Sequence, residues 1–239
     1  MSLPGLRALL FDKDGTLVHF DRTWGPAAGA VMRTLAADDT AALARLEQAS
    51  HYLADEERFL PTSPLVAGSS AHYGPLWADA LGREPSDAFF SRIDALFSAE
   101  GLRCLTPIGQ VQQTLRALHR QGLMLGMVTN DAEANARLQA EALGILPLFG
   151  AVHGYDSGFG SKPGAGMITA MGARFGLSGP QMAVVGDSAH DLAAARGAGA
   201  RFILVRTGPA PVEDMAPFAD LVLDSIDDLP GVLREAVPC

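Results

Sequence analysis

The 239-residue chain predicts an α/β fold: a doubly wound parallel sheet with an inserted α-helical domain. Three observations carry that expectation. Short apolar runs recur along the chain, several ending on a polar or acidic residue, as buried strands of a parallel sheet do. Segments of helical period separate those runs, and such alternation builds a parallel sheet covered on both faces. One stretch behind the first run breaks the alternation and reads as helix after helix.

The first strand is Leu6 to Phe11. A second, Leu123 to Val128, leads into Thr129-Asn130-Asp131, and a weaker one spans Gly150 to His153. Met182 to Gly186 ends at Asp187, and Arg201 to Val205 and Ala219 to Leu223 complete the set. Helices are expected over Gly109–Gln121, Ala132–Leu143, Gly164–Phe175 and Ala189–Gly197. Gly122, Gly144, Gly176 and Gly199 stand near their ends, where a left-handed cap residue is favoured. The interrupting stretch predicts helices over Pro26–Ala37, Thr40–Leu53, Leu76–Leu81 and Ser86–Ala99, broken by Pro61, Pro64, Gly68, Gly74 and Pro75. His72 and Tyr73 lie in that Pro- and Gly-rich part, either reaching toward a ligand or sitting on a loop between helices. The expected domains are residues 1–19 with 104–239 as the α/β core, and residues 20–103 as the helical insertion.

Composition narrows the function. Hydrophobic residues make up 48% and charged residues 19%, which supports a packed core. The formal net charge is −9 with no basic stripe, which argues against nucleic acid as the main partner. No apolar stretch approaches a membrane span, and no secretory leader is read at the N-terminus. Cys104 and Cys239 lack metal-type spacing, which points to a reducing, cytoplasmic setting. Lys13 and Lys162 are the only lysines, so the place of each calls for an explanation.

Sheets of this class bind ligands at the carboxyl ends of their strands. The first strand ends in Asp12-Lys13-Asp14-Gly15-Thr16, whose carboxylates at i and i+2 leave on one side. As close anions they repel, and a divalent cation would relieve that repulsion while binding a phosphate oxygen; the same residues also suit a plain turn. By alternation Lys13 is expected to point away from Asp12 and Asp14. Thr129 and Asn130 suit either a helix N-cap or a phosphate cradle made of a hydroxyl and a backbone amide. Lys162, set before Pro163 at an expected loop-to-helix junction, reads as a phosphate counter-charge. Asp187 and Asp191 stand i,i+4 at a helix start, where acids suit the helix dipole or complete an oxygen site for Mg²⁺ with Asp12 and Asp14.

At these four motifs the chain resembles the haloacid dehalogenase superfamily, and within it phosphoglycolate phosphatase-like members with a helical cap. The resemblance runs from about Leu6 to Leu229. It implies that residues 20–103 form that cap, that Asp12 is the nucleophile, and that Asp14 is the general acid and base. It implies that Thr129, the Asn130 amide and Lys162 hold phosphoryl oxygens. Mg²⁺ would be held by Asp12, the Asp14 carbonyl and Asp187, with Asp191 orienting that shell. The implied partner is a small phosphorylated metabolite, with no nucleic acid and no membrane, and the implied assembly is a monomer or homodimer. Many such relatives have Asp-Ser where this chain has His19-Phe20, and a basic residue at Asp131. Halide removal needs no Asp14, and carbon–phosphorus cleavage needs a cap lysine absent from residues 18 to 107. A sugar-phosphate mutase uses the same core and stays open, as does, more distantly, a non-catalytic binding module.

Overall fold

A computed structural model describes residues 3–66 and 70–233; Gly68 and Cys239, named above, lie outside them. The chain divides into two compact units, Met1–His19 with Pro107–Cys239, and Phe20–Thr106. The first unit opens with β1 (Ala8–Phe11). The second comprises α1 (Phe20–Ala36), α2 (Thr40–Ala49), β2 (Tyr52–Leu53), β3 (Arg58–Phe59), α3 (Ser70–Ala80) and α4 (Asp87–Arg103). The first unit then resumes with α5 (Val111–Arg120), β4 (Met124–Val128), α6 (Glu133–Ala142), β5 (Ala151–His153) and α7 (Gly166–Phe175). It ends with β6 (Met182–Gly186), α8 (Ala189–Gly197), β7 (Arg201–Val205), β8 (Leu221–Leu223) and α9 (Leu229–Leu233).

Six strands of the first unit form one sheet in the order β5-β4-β1-β6-β7-β8, with every neighbouring pair parallel. β1 lies inside it, with Phe11 level with Met127 on one side and Val185 on the other. Its alternate residues feed two cores. Leu9 and Phe11 join Leu115, Leu118, Leu125, Val185 and Leu229 on one face. Ala8 and Leu10 join Met167, Met171, Val184 and Phe202 on the other, as a period of two requires. From β1 the chain builds outward to β4 and β5, then crosses back to β6. The order reverses between β1 and β6, and a doubly wound sheet opens its crevice beyond the strand ends at that point.

The two stretches of the first unit that flank the insertion are stitched to each other. Val18 bridges Pro107, and the Ile108 amide donates to the Leu17 carbonyl at 2.9 Å.

Within the second unit the core gathers Met32, Leu46, Trp77 and Ile93, all fully buried. Trp77 Nε1 donates to Ser50 Oγ at 2.9 Å, which satisfies the indole at the centre of that core. Three expectations need correction here. The helix expected from Pro26 begins at Phe20 and runs through the proline, because Phe20 and Trp24 join the apolar core and outweigh a missing backbone donor. The helix expected to reach Leu53 ends at Ala49; His51 takes a φ of 48° and the chain turns into the antiparallel β2–β3 pair, with the Tyr52 and Phe59 rings 5.5 Å apart. The helix expected from Leu76 starts at Ser70 and encloses Pro75. Tyr73 is thereby buried in the core, its ring 5.3 Å from Trp77, so it is committed to packing rather than to a ligand or a surface loop.

Candidate active site

β1 delivers Asp12 at the reversal point of the sheet, and the Asp12 amide donates to the Val185 carbonyl at 2.9 Å. The chain then turns sharply. Gly15 has a φ of +83°, which only glycine adopts without strain, and its amide donates to the Val18 carbonyl at 2.8 Å. A β-carbon on Gly15 would lie 2.6 Å from the Asp187 carboxylate, and one on Gly208 would lie 1.7 Å from Asp187 Oδ2. Bare backbone on both sides leaves that acid its place.

Lys162 closes the cluster. Its Nζ donates to Asp12 Oδ1 at 2.5 Å and to Asp191 Oδ1 at 2.6 Å, and the lysine is only 5% exposed. Asp12, Asp187 and Asp191 each present a carboxylate oxygen within 4.8 Å of the others. Asp191 is fixed by a capping box at the start of α8, where Ser188 Oγ and the Ser188 amide both meet Asp191 Oδ2. The helix expected at Gly164 starts at Gly166, so Pro163 is not its first residue. Lys162 is held instead by Asn130, whose side-chain oxygen accepts from the Lys162 amide at 2.8 Å and whose side-chain NH₂ donates to the Lys162 carbonyl at 2.9 Å. Sequence reasoning missed that clamp, since it assigned Asn130 only a backbone role.

Thr129 is buried, and its hydroxyl accepts from the Asp131 amide at 3.1 Å. Neither Thr129 nor Asn130 caps α6. Asp156 accepts from the Glu133 amide at 2.8 Å and takes that part. The largest correction concerns Lys13, expected to point away from the acids. Its Nζ lies 2.7 Å from Asp14 Oδ2, 3.1 Å from Asp131 Oδ2 and 2.9 Å from Gln139 Oε1, and the residue is 1% exposed. The scarcity of lysine was the one available signal.

Burial dominates the electrostatics. It pushes the Asp12 carboxyl up from 3.8 to about 7; Lys162 pulls against that rise, while Asp191 and Asp14 add to it. Asp187 is raised well above the usual carboxylate range by burial, then by Asp12 and Asp191. Burial alone would lower Lys162, but Asp12 and Asp191 more than reverse this and hold it protonated. Across these contacts Asp12, Asp14, Asp131, Asp187 and Asp191 gather around the two ammonium groups of Lys13 and Lys162. A buried site rich in carboxylates, offering hard oxygen donors from Asp12, Asp187 and Asp191, fits a divalent cation.

Comparison with known proteins gives this arrangement its family. The sequence model of the haloacid dehalogenase-like hydrolases matches residues 6–199. A phosphoglycolate phosphatase of Rhodospirillum rubrum is 32% identical over 202 residues, covering 84% of this chain and 80% of the relative. Another from Aliivibrio fischeri is 29% identical over 234 residues, covering 97% and 98%. Among solved structures, a predicted phosphoglycolate phosphatase from Haemophilus somnus superposes with a TM-score of 0.71 at 23% identity, covering 95% of this chain and 98% of that one. That last likeness establishes the fold. The chain belongs to the haloacid dehalogenase-like hydrolases. Within the family it is an enzyme of the phosphoric monoester hydrolase class, phosphoglycolate phosphatase-like in sequence. Among the described residues, no helix is long and apolar enough to cross a membrane.

Proposed function

We propose that this phosphatase is Mg²⁺-dependent and hydrolyses a small phosphomonoester through an aspartyl-phosphate on Asp12. The observation that carries the reading is the Asp12 carboxylate at the end of β1, paired with Lys162 at 2.5 Å and grouped with Asp187 and Asp191. An Asp12 oxygen attacks phosphorus, and the bond from phosphorus to the ester oxygen breaks. The Asp14 carboxyl gives its proton to the departing alkoxide. Asp14, now a carboxylate, takes a proton from water as that water attacks phosphorus; the acyl-phosphate bond breaks, and inorganic phosphate and free Asp12 result. Thr129, the Asn130 amide and Lys162 would orient the phosphoryl oxygens. Asp12, Asp187 and the Asp14 carbonyl would hold the cation and Asp191 would orient them; when bound, it would supply positive charge that favours ionised Asp12 and offsets the phosphoryl charge.

Phosphoglycolate is the first substrate to test, since that is the activity named for the relatives. The inserted unit, which follows directly behind the nucleophile loop in sequence, is proposed as the cap that admits small esters. A monomer or homodimer acting in the cytoplasm, without nucleic acid, completes the proposal. The test compares kcat/KM for phosphoglycolate, a neutral sugar phosphate and a phosphopeptide, each with Mg²⁺ and in excess chelator. Small esters turned over only with Mg²⁺ support the reading. Undiminished chelator-resistant turnover refutes the metal, and preference for the phosphopeptide refutes the cap. Phosphoryl transfer to a second sugar hydroxyl in place of water would make the enzyme a mutase.

A further inference from the structure

Resting on the phosphatase reading above, we infer that Lys13 is a positioning residue for the acid–base step, fixing the Asp14 carboxylate against the start of α6. An ammonium group carries three N–H donors and no acceptor. The Lys13 ammonium meets three oxygens from three places in the fold: Asp14 Oδ2 on its own turn, Asp131 Oδ2 ahead of α6, and Gln139 Oε1 within α6. A tripod of that kind leaves the lysine head no free rotation. It also fixes the bearing of the Asp14 oxygen that it holds.

The far side of the tripod is itself braced. Asp131 Oδ2 accepts from Asn135 Nδ2 at 2.7 Å, and Asp131 Oδ1 accepts from the Ala132 amide at 2.8 Å. Gln139 is wholly buried and keeps its oxygen on Lys13, although its amide nitrogen has no hydrogen-bond partner among the described residues. Turning that amide over would set an NH₂ against the ammonium, so its orientation follows from the lysine charge. Asp131 also donates its backbone amide to Thr129 Oγ1. One rigid path therefore joins the turn that carries Asp14 to the loop proposed to hold the phosphoryl group. Lys13 touches no reacting atom in this scheme; it acts through Asp14.

Leaving-group dependence tests this. An alkyl phosphate needs a proton from Asp14 for its alcohol to depart, whereas p-nitrophenyl phosphate releases a stable phenolate without one. The value of kcat/KM reports steps only through that departure, so later hydrolysis of the intermediate does not enter. With saturating Mg²⁺, Lys13→Met is expected to lower kcat/KM for the alkyl ester at least about tenfold more than for the aryl ester, a part of the roughly 10²–10⁴ that general acid catalysis contributes. In an Asp14→Asn background the same change should add nothing to the alkyl-to-aryl ratio. Equal losses on both esters would mean that Lys13 serves packing alone, and would overturn the proposal. Should Lys13→Met fail to fold, Asp131→Asn keeps the lysine and its bond to Asp14 while loosening the brace. It is expected to shift the ratio the same way by less, and a folded Asp131→Asn with the wild-type ratio overturns the proposal. A wild-type protein that hydrolyses neither ester refutes the phosphatase reading itself, and this proposal with it; an active wild type with an unmoved ratio in Lys13→Met refutes this proposal alone.

Discussion

Replacing Asp12 by asparagine should abolish turnover and yet make the metal-free protein more stable. The carboxyl moves from 3.8 to about 7 on folding, mainly because it is buried. A tenfold change in proton affinity is worth about 1.4 kcal/mol, so ionised Asp12 costs the folded chain about 4 kcal/mol relative to the unfolded one. Asparagine carries no charge and can still accept from Lys162, which keeps Asp191 as its ionic partner. Allowing for relaxation around the buried acids leaves a gain of about 2 kcal/mol, or roughly 4–8 °C in Tm for a chain of this size. The sign against pH follows from proton binding. Between pH 3.8 and about 7 the folded state holds more protons at Asp12 than the unfolded state, so stability from this group falls as pH rises and is lowest above about 7. Thermal melts in chelator at pH 5 and pH 8 decide it. The variant should exceed wild type at pH 8 and approach it at pH 5, and Mg²⁺ should raise the wild type more than the variant. A wild type as stable as Asp12→Asn at pH 8 without metal would refute the argument that burial, with Asp191 and Asp14 adding to it, makes ionised Asp12 costly to the fold.

Three further expectations come from other parts of the site and fold. Asp187→Ala should raise the Mg²⁺ concentration for half-maximal rate by about tenfold or more; an unchanged metal titration would remove Asp187 from the ligand set. Gly208→Ala puts a methyl group where Asp187 Oδ2 lies, 1.7 Å from the new carbon; it should likewise raise the Mg²⁺ concentration for half-maximal rate while circular dichroism stays native, and normal metal affinity would mean that the loop yields freely. Trp77→Ala empties the centre of the inserted unit and leaves Ser50 Oγ without its indole donor; denaturant titration should show a loss of about 3–5 kcal/mol, and a loss under about 1 kcal/mol would contradict the packing described.

The parallel sheet was legible because its central strands are short, apolar and closed by polar residues, and because α8 begins at the expected Ala189. The same logic put Asp12 and Asp187 at strand ends that the topology brings side by side, and Asp191 at the start of the helix that follows Asp187. The inserted unit was read less well for an identifiable reason. Pro26 and Pro75 were taken as boundaries, but both lie inside helices whose apolar residues fasten the turns before them. The β2–β3 hairpin turns through Ala54-Asp55-Glu56-Glu57, with Glu57 at a φ of 47°, and that segment carries none of the Asn-Gly or Asp-Gly chemistry that announces a hairpin. Lys13 was misplaced because strand alternation governs where a Cβ points. It says little about a four-carbon side chain leaving a turn, which can curl back to a neighbour's carboxylate.

Burial of both lysines has a practical consequence for labelling. Lys13 and Lys162 are 1% and 5% exposed, so the folded surface offers no lysine ε-amino group to an acylating reagent, a cross-linker or a modifying enzyme. Any lysine acylation under native conditions must wait until the floor beneath Asp12 and Asp14 opens. Its rate, followed residue by residue by mass spectrometry, therefore acts as a clock for that opening, and a cation or phosphate mimic that tightens the floor should slow it.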